Sequence, residues 1–542
     1  MKIALFNSPW YDDSQPLAWG VRAGSRWPHM QERPAPGQLP RYIPFPFFLA
    51  TAARILQNAG HEVLLVDGVA SDLRLETCLD KIQSFGPRLV FCEAATPSLP
   101  WDLEVMKKLR QLLPSAVLAA GGSQGVSMVP DIMDQHGLPD FWLGGEYDFA
   151  VQQLVDALEG RRPFSKVDGL VGAGVNNRPA VVEDVKSLPS PLYEVLPVRN
   201  YSDPVCGLPS PVAQAWLSRG CPYKCTFCVW PQVVFGNSRY RTRDPHQALD
   251  DIERLIRDHG CESFYFDDDT ANIGPARMIE LAAAIKSRGL DKYPWSMMAR
   301  ADCMTEAVLD ALHDAGMYSV KYGVESLNET LVDTCEKGTD IKKFHRTIEH
   351  TKKLGIKLHL TFMFGIPHET AETVQETLDY AMSVAPDSAQ FSLCTPFPGT
   401  KFYRQCEENG WLITKDWSRF LGSDEAVVET PWLKASELTR LYHQARDTWH
   451  KYNLERLEAK RAALLRELQN RCPPGSTWEH LGDPDFASFI AERDPALASR
   501  QVPEGQGAKL SVIISHHDEE KIYRRLLRAD DPRAKNCLKL FG

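Results

Sequence analysis

The chain has 542 residues, 43% of them apolar and 24% charged, an ordinary globular composition that excludes a disordered, collagen-like or coiled-coil protein. Lys plus Arg number 61 against 71 Asp plus Glu, a net charge of -10, so the overall basic footprint of a nucleic-acid binder is missing and no nucleic-acid partner is expected. At about 150 residues per domain, the length predicts three or four domains.

The start, MKIALFNSPWYDD, lacks the apolar core and small-residue cleavage site of a signal peptide. The most apolar stretch, Ile43 to Leu56, is interrupted by Pro46 and Arg54 and is too short for a bilayer. No membrane span and a cytoplasmic location are therefore expected. Thirteen cysteines at irregular spacing fit reduced thiols, some of them around a metal, better than a disulfide framework.

Residues 1–165 alternate apolar runs with helical patterns. Strands are predicted at Lys2 to Asn7, Glu62 to Val66, Leu89 to Cys92, Ala116 to Ala120 and Asp140 to Leu143. Helices are predicted at Phe47 to Ala59, Leu73 to Phe85, Asp102 to Leu113 and Asp148 to Leu158. Such βα repeats imply an α/β doubly wound, Rossmann-like parallel sheet whose ligand lies beyond the strand carboxyl ends. Those ends carry Ser8 and Pro9, Thr96 and Ser98, Gly121, Gly122 and Ser123, then Gly145 and Glu146. Glycine there permits close backbone approach to a ligand, and equally serves a tight turn. No G-x-G-x-x-G follows the first strand, so the dinucleotide fingerprint is absent.

The connection from Pro9 to Pro46 is unusually long for a compact domain, which marks it as functional or as a flap on the sheet edge. Trp19 and Trp27 argue for order, and Arg22 and Arg26 are candidates to meet an anionic group. Residues 166–208 hold a predicted hairpin and a proline-rich linker.

Cys221, Cys225 and Cys228 place three thiols within eight residues, a C-x3-C-x2-C spacing that scattered cysteines rarely produce. Structural zinc wants four ligands, and no fourth Cys or His sits nearby at finger spacing. A four-iron cluster held by three cysteines keeps one iron open for an exogenous ligand.

With Phe227 ahead of the third cysteine, this segment resembles the signature of the radical S-adenosylmethionine (SAM) superfamily. The likeness continues through predicted strands ending at Asp267, Asp268 and Asp269, at Arg300, at Glu325 and at Gly365 with Pro367, and through a sixth ending at Cys394. It implies a partial (β/α)6 barrel over 209–415 with function at the strand carboxyl ends. By the same resemblance, the three cysteines hold a [4Fe-4S] cluster, while Phe227, Asp267, Asp268, Asp269, Arg300, Glu325, Gly365 and Pro367 surround SAM. A pairing of Arg300 with Asp302, a helix cap at the aspartates and a plain turn at Gly365 are the structural alternatives.

A doubly wound domain ahead of such a barrel resembles the cobalamin-binding, class B methyltransferase-like branch. That implies cobalamin at Ser8, Pro9, Thr96, Ser98, Gly121, Gly122, Ser123, Gly145 and Glu146. An Asp-x-His-x-x-Gly motif is absent, which leaves the lower axial position of cobalt unassigned. The implied activity is methylation of an unactivated carbon in a small natural-product-like substrate, with an electron donor of flavodoxin or ferredoxin type. A ring closure or rearrangement without methyl transfer, and a non-enzymatic iron–sulfur or zinc protein, are the alternatives. Trp19, Arg22, Arg26, Trp27, Trp230 and Cys394 are the substrate-pocket candidates, and no side chain is singled out for acid–base catalysis.

Residues 416–542 are predicted mostly helical, with one or two amphipathic helices over Lys434 to Asn470. His516 and His517 with Asp518 form a weak metal motif, because adjacent side chains face apart.

Overall fold

The computed structural model describes residues 1–11, 18–24, 28–32, 42–203 and 205–471. The chain divides into Met1–Arg446 and Asp447–Gly542. Arg26, Trp27, His516, His517 and Asp518 lie outside the described residues. Among the described residues, no helix is long and apolar enough to cross a membrane.

The first unit begins with a seven-stranded sheet. Its order is Val175–Asn176, Leu170–Gly172, Phe141–Leu143, Val117–Gly122, Leu89–Ala94, Lys2–Asn7 and Glu62–Asp67. The five strands from Phe141–Leu143 to Glu62–Asp67 are parallel. After Lys2 every residue of the first strand is buried, as expected where both faces are covered by helices. On one face Ala4, Phe6, Val90 and Cys92 pack with Leu79 and Met106. On the other, Phe91 meets Tyr147 at 4.8 Å between ring centroids. The first strand pairs with Glu62–Asp67 on one side and Leu89–Ala94 on the other, which makes its carboxyl end the topological switch point.

Two features differ from the sequence expectation. The long connection after the first strand is partly regular structure: Trp10–Tyr11, Ala18–Val21 and His29–Glu32 form a small antiparallel sheet. Trp10 lies so close over Gly20 that a Cβ there would sit 2.2 Å from its ring, so the glycine makes this packing possible. The predicted linker hairpin is not a free connector either. Leu170–Gly172 pairs antiparallel with Phe141–Leu143 and extends the first sheet, with Leu170 and Val171 buried on its opposite faces.

The second sheet has six parallel strands in sequence order, Val212–Ala215, Ser263–Phe266, Trp295–Ala299, Met317–Glu325, Lys357–Phe364 and Ser388–Leu393. Helices Pro245–His259, Pro275–Ser287, Glu306–Asp314, Ile341–Lys353 and Ala371–Val384 separate them. Asp244 caps the first of these by accepting from His246 N, and Pro245 pre-sets the first helical φ. No described strand joins the first to the sixth, so the barrel is open. The predicted tail helices are one helix, Ala435–Arg471. Leu438 and Tyr442 of its first turns are buried.

Candidate active site

The cysteine loop follows Ser218–Arg219, which pairs with Arg241–Thr242. Gly220, at φ +89°, starts it, and a Cβ there would meet the Arg239 carbonyl at 2.0 Å. Its N–H points to Asp269 Oδ2 at 3.3 Å, and Cys221 Sγ lies 3.5 Å from Thr270 Oγ1. The aspartate-rich end of the second barrel strand thus sits against the start of the cysteine loop. Burial pushes the Cys225 and Cys228 thiols up, and for Cys228 the neighbouring thiols add to this. The Trp230 backbone N–H hydrogen-bonds Cys228 in the opposite sense.

Among the described residues no three His, Cys, Asp or Glu side chains converge on a single metal-ion position. A four-iron cluster needs no such convergence, because its cysteines bind separate irons, so the three thiols fit that group better than zinc.

The structure distributes the SAM-site residues unevenly. Asp267 and Asp269 line a recess, whereas Asp268 is 1% exposed and accepts from Leu217 N and the Ser218 hydroxyl. Its carboxylate holds the strand leading into the cysteine loop. Arg300 pairs with Asp302 at 2.6 Å, donates to the Lys337 carbonyl at 3.1 Å and stacks 3.5 Å over the Tyr223 ring. It therefore supports the cysteine loop through Tyr223, whose hydroxyl is 2.9 Å from Cys303 Sγ. Glu325 occupies a left-handed φ of +61° at a strand end and pairs with buried Lys337 Nζ at 2.7 Å. Gly365 N donates to Glu369 Oε2 at 2.8 Å, and Pro367 beside it is buried. Phe227 packs on the apolar cluster around Phe402. Cys394 is 6% exposed in that same cluster and is not among the residues lining the recess, so it packs where a pocket role was expected.

The strand ends of the first sheet are also partly committed. Arg22 is buried, and its expected anion is Asp102 of the protein itself. The guanidinium donates to Asp102 Oδ1, to Asn7 Oδ1 at 3.1 Å, to Ser8 Oγ at 2.7 Å and to Ser98 Oγ at 3.4 Å. The Pro9 carbonyl accepts from Trp101 Nε1 at 2.8 Å. Glu146 accepts from Arg219 at 3.1 Å, from Arg241 and from Val182 N at 2.9 Å, so it joins the two sheets' loops. A Cβ on Gly122, at φ +141°, would lie 1.9 Å from the Ala94 carbonyl. On Gly121 it would meet the Leu143 carbonyl at 2.8 Å, and on Gly145 the Ala180 carbonyl at 2.3 Å. These glycines are required by the protein's own packing. What remains open is donor capacity: Thr96 Oγ1 donates to Gln124 Oε1 at 2.8 Å, but the buried Gln124 Nε2 has no acceptor among the described residues. Among the described residues, Trp19 Nε1 is likewise buried without one. The Gln124 donor beside Ser123 at the strand ends fits a ligand rich in amide carbonyls, such as cobalamin.

The recess lies between the two sheets. Gly24 comes from the connection after the first strand, Phe47 and Phe48 from the helix Phe47–Asn58 that follows it, and Trp216, Ser218, Arg219, Trp230, Phe235, Asp267 and Asp269 from the barrel side, around about 400 Å³ of free space including its mouth. Arg219 closes one wall, bidentate to Asp148 at 2.7 and 2.9 Å and 4.3 Å over the Phe48 ring. Sequence reading missed Arg219, Phe48 and Trp216. Arg219's position just before Gly220–Cys221 was visible, but its partners lie more than 70 residues away.

Close by, the Tyr147 hydroxyl donates to Glu93 Oε2. Burial pushes the Glu93 carboxyl up to about 8; Arg22 opposes this, and Asp148 and Asp67 reinforce it. The folded chain thus holds a proton that the unfolded chain releases above about pH 4.5. The associated stability is full below that pH and lost as pH rises through about 8. Glu93→Gln is expected to melt like the wild type near pH 5 and at a higher temperature near pH 9, about one unit above the folded value. A variant that melts lower at the alkaline end contradicts this assignment.

Residues 217–381 match the family described as the radical SAM superfamily. The chain is 28% identical over 406 residues to an uncharacterised methyltransferase of Pyrococcus horikoshii, covering 74% of this chain and 86% of that one. It is 27% identical over 407 residues to the anaerobic magnesium-protoporphyrin IX monomethyl ester cyclase of Cereibacter sphaeroides, covering 73% and 64%. Its fold is shared, at a TM-score of 0.57 and 20% identity over 75% of each chain, with the radical SAM methyltransferase TsrM of Kitasatospora setae, solved with cobalamin and a [4Fe-4S] cluster. Residues 217–381 are a radical SAM domain. The chain as a whole resembles the cobalamin-dependent, methyltransferase-like radical SAM proteins.

Proposed function

We propose that the chain is a cobalamin-dependent radical SAM methyltransferase acting on an unactivated carbon of a small, natural-product-like substrate. The observation that carries this reading is one aromatic recess walled on one side by Phe47 and Phe48 of the first sheet's leading helix, and on the other by Ser218, Arg219 and Trp230, which flank the three-thiol loop, with Asp267 and Asp269 of the open barrel. When bound, a [4Fe-4S] cluster with SAM supplies a 5′-deoxyadenosyl radical for hydrogen abstraction, and methylcobalamin supplies the methyl group.

The chain's own residues then have definite tasks. Cys221, Cys225 and Cys228 hold the cluster, and Asp267, Asp269 and Glu325 offer carboxylates to the cationic end of SAM. Gly365 and Pro367 form the wall against the adenine. Thr96, Ser123 and Gln124 present hydrogen-bonding groups to cobalamin. Phe48, Trp216, Trp230 and Phe235 exclude water from the recess between. Pro222 and Lys224 are exposed on the outer edge of the cysteine loop, which suits electron delivery from a flavodoxin- or ferredoxin-type donor.

The similarity to the cyclase favours a second reading, ring closure without methyl transfer. Anaerobic reconstitution with iron, sulfide and cobalamin, followed by mass spectrometry of SAM-derived products under a strong reductant, separates the two. 5′-Deoxyadenosine together with S-adenosylhomocysteine is the expected result; deoxyadenosine alone supports ring closure, and neither product overturns both.

A further inference from the structure

We infer that Gln232 is a positioning residue that shapes the cysteine loop through the donor side of its amide. The inference rests on the cluster reading proposed above. Gln232 lies in a single π-helical turn, Trp230–Val234, directly after the last cysteine. Such turns are rare and concentrate at functional sites.

Its Nε2 donates to the carbonyls of Cys225 at 2.9 Å, Thr226 at 3.1 Å and Cys228 at 3.0 Å. Two N–H groups thus serve three acceptors, two of them on cluster cysteines. Its Oε1 accepts from Lys401 N at 2.7 Å. One side chain therefore ties the loop after the first barrel strand to the loop after the sixth, across the open side of the barrel.

The cysteine loop has little regular structure of its own to fix it. Within Cys221–Cys228 the backbone bond present is Cys228 N to the Cys225 carbonyl, at 3.2 Å. Outside support comes from Thr226 N donating to the Cys335 carbonyl at 2.9 Å and Phe402 N donating to the Thr226 carbonyl at 3.0 Å. Neither of these reaches the carbonyl of Cys221, Cys225 or Cys228, and Gln232 reaches two of the three. By drawing both carbonyls to one side, the amide fixes the peptide planes that set where the thiols point. The same π turn brings the Trp230 N–H onto the Cys228 sulfur, and hydrogen bonds to cluster sulfurs tune reduction potential.

The test compares two variants of similar length, Gln232→Lys, which keeps a donor, and Gln232→Glu, which keeps only an acceptor. Each is reconstituted with iron and sulfide alongside the wild type. Iron per chain, the midpoint potential of the reduced cluster and the apparent Kd for SAM are then measured. The lysine variant is expected to hold iron within about twofold of the wild type. The glutamate variant is expected to weaken cluster retention and SAM binding about 10–100-fold, the usual cost of losing a group that orients metal ligands, and to shift the potential. A glutamate variant that matches the wild type overturns the inference, and so does an equal loss in both variants, including failure of both to fold. A wild-type chain that takes up no cluster overturns the underlying reading instead.

Discussion

Cys225→Ala is expected to abolish both iron–sulfur cluster formation and SAM cleavage, while the chain still folds. The loop carries three thiols and no fourth ligand, so the loss of one leaves two anchors for four irons. The protein fold does not depend on that thiol. Cys225 lies in a half-exposed loop whose backbone is held by Gln232, Cys335 and Phe402. Far-ultraviolet circular dichroism and the melting curve of the metal-free variant should therefore match the metal-free wild type, with iron per chain near zero after reconstitution. Cys394→Ala is the control, because its thiol sits among Phe397, Phe402 and Ile366. That variant should lose about 0.5–3 kcal/mol of stability and keep its iron. The opposite pattern, with iron lost at Cys394 and retained at Cys225, contradicts the placement of the cluster.

Arg219→Ala is expected to produce the largest loss of stability of any single change discussed. Arg219 is 4% exposed, and both its carboxylate partners, Asp148 and Glu146, are buried. Removing one partner of a buried pair typically costs about 3–5 kcal/mol, because the remaining charge stays buried and uncompensated. Here two carboxylates are left, although Arg241 still meets Glu146. The damage should centre where the two sheets' loops meet. Hydrogen exchange is expected to rise first in the helix Tyr147–Leu158 and in the strand Ser218–Arg219. Asp148→Ala combined with Arg219→Ala should cost less than the sum of the single changes, since the double variant buries fewer orphaned charges. Additive costs, or exchange that rises elsewhere first, contradict the clamp.

Much of the fold was legible because its signals are local. The apolar run Lys2 to Asn7 reads as a buried strand and is buried after its first residue, and the order of strand-end motifs from Asp267 to Gly365 laid out the barrel. The cysteine triplet was legible for the same reason. What stayed hidden depends on partners distant in sequence. Arg22 was a candidate to meet an external anion, and only the folded chain shows that Asp102, 80 residues on, already fills that role. Glu146 and Asp268 were expected at cofactors, yet their neighbours from other elements draw both into structural bonds. The strand-end glycines had two readings in the sequence. The carbonyls of Ala94, Leu143 and Ala180 account for three of them by packing. Gln232 was not a site candidate, and its role emerges from three carbonyls that converge on one amide.

The central claim is that Cys221, Cys225 and Cys228 hold a cluster with one iron left open to SAM. Electron paramagnetic resonance of the anaerobically reconstituted, reduced chain, recorded with and without SAM, tests it most directly. A reduced four-iron signal whose g values change when SAM is added is expected. A cluster signal indifferent to SAM, or no cluster signal from an iron-loaded chain, contradicts it.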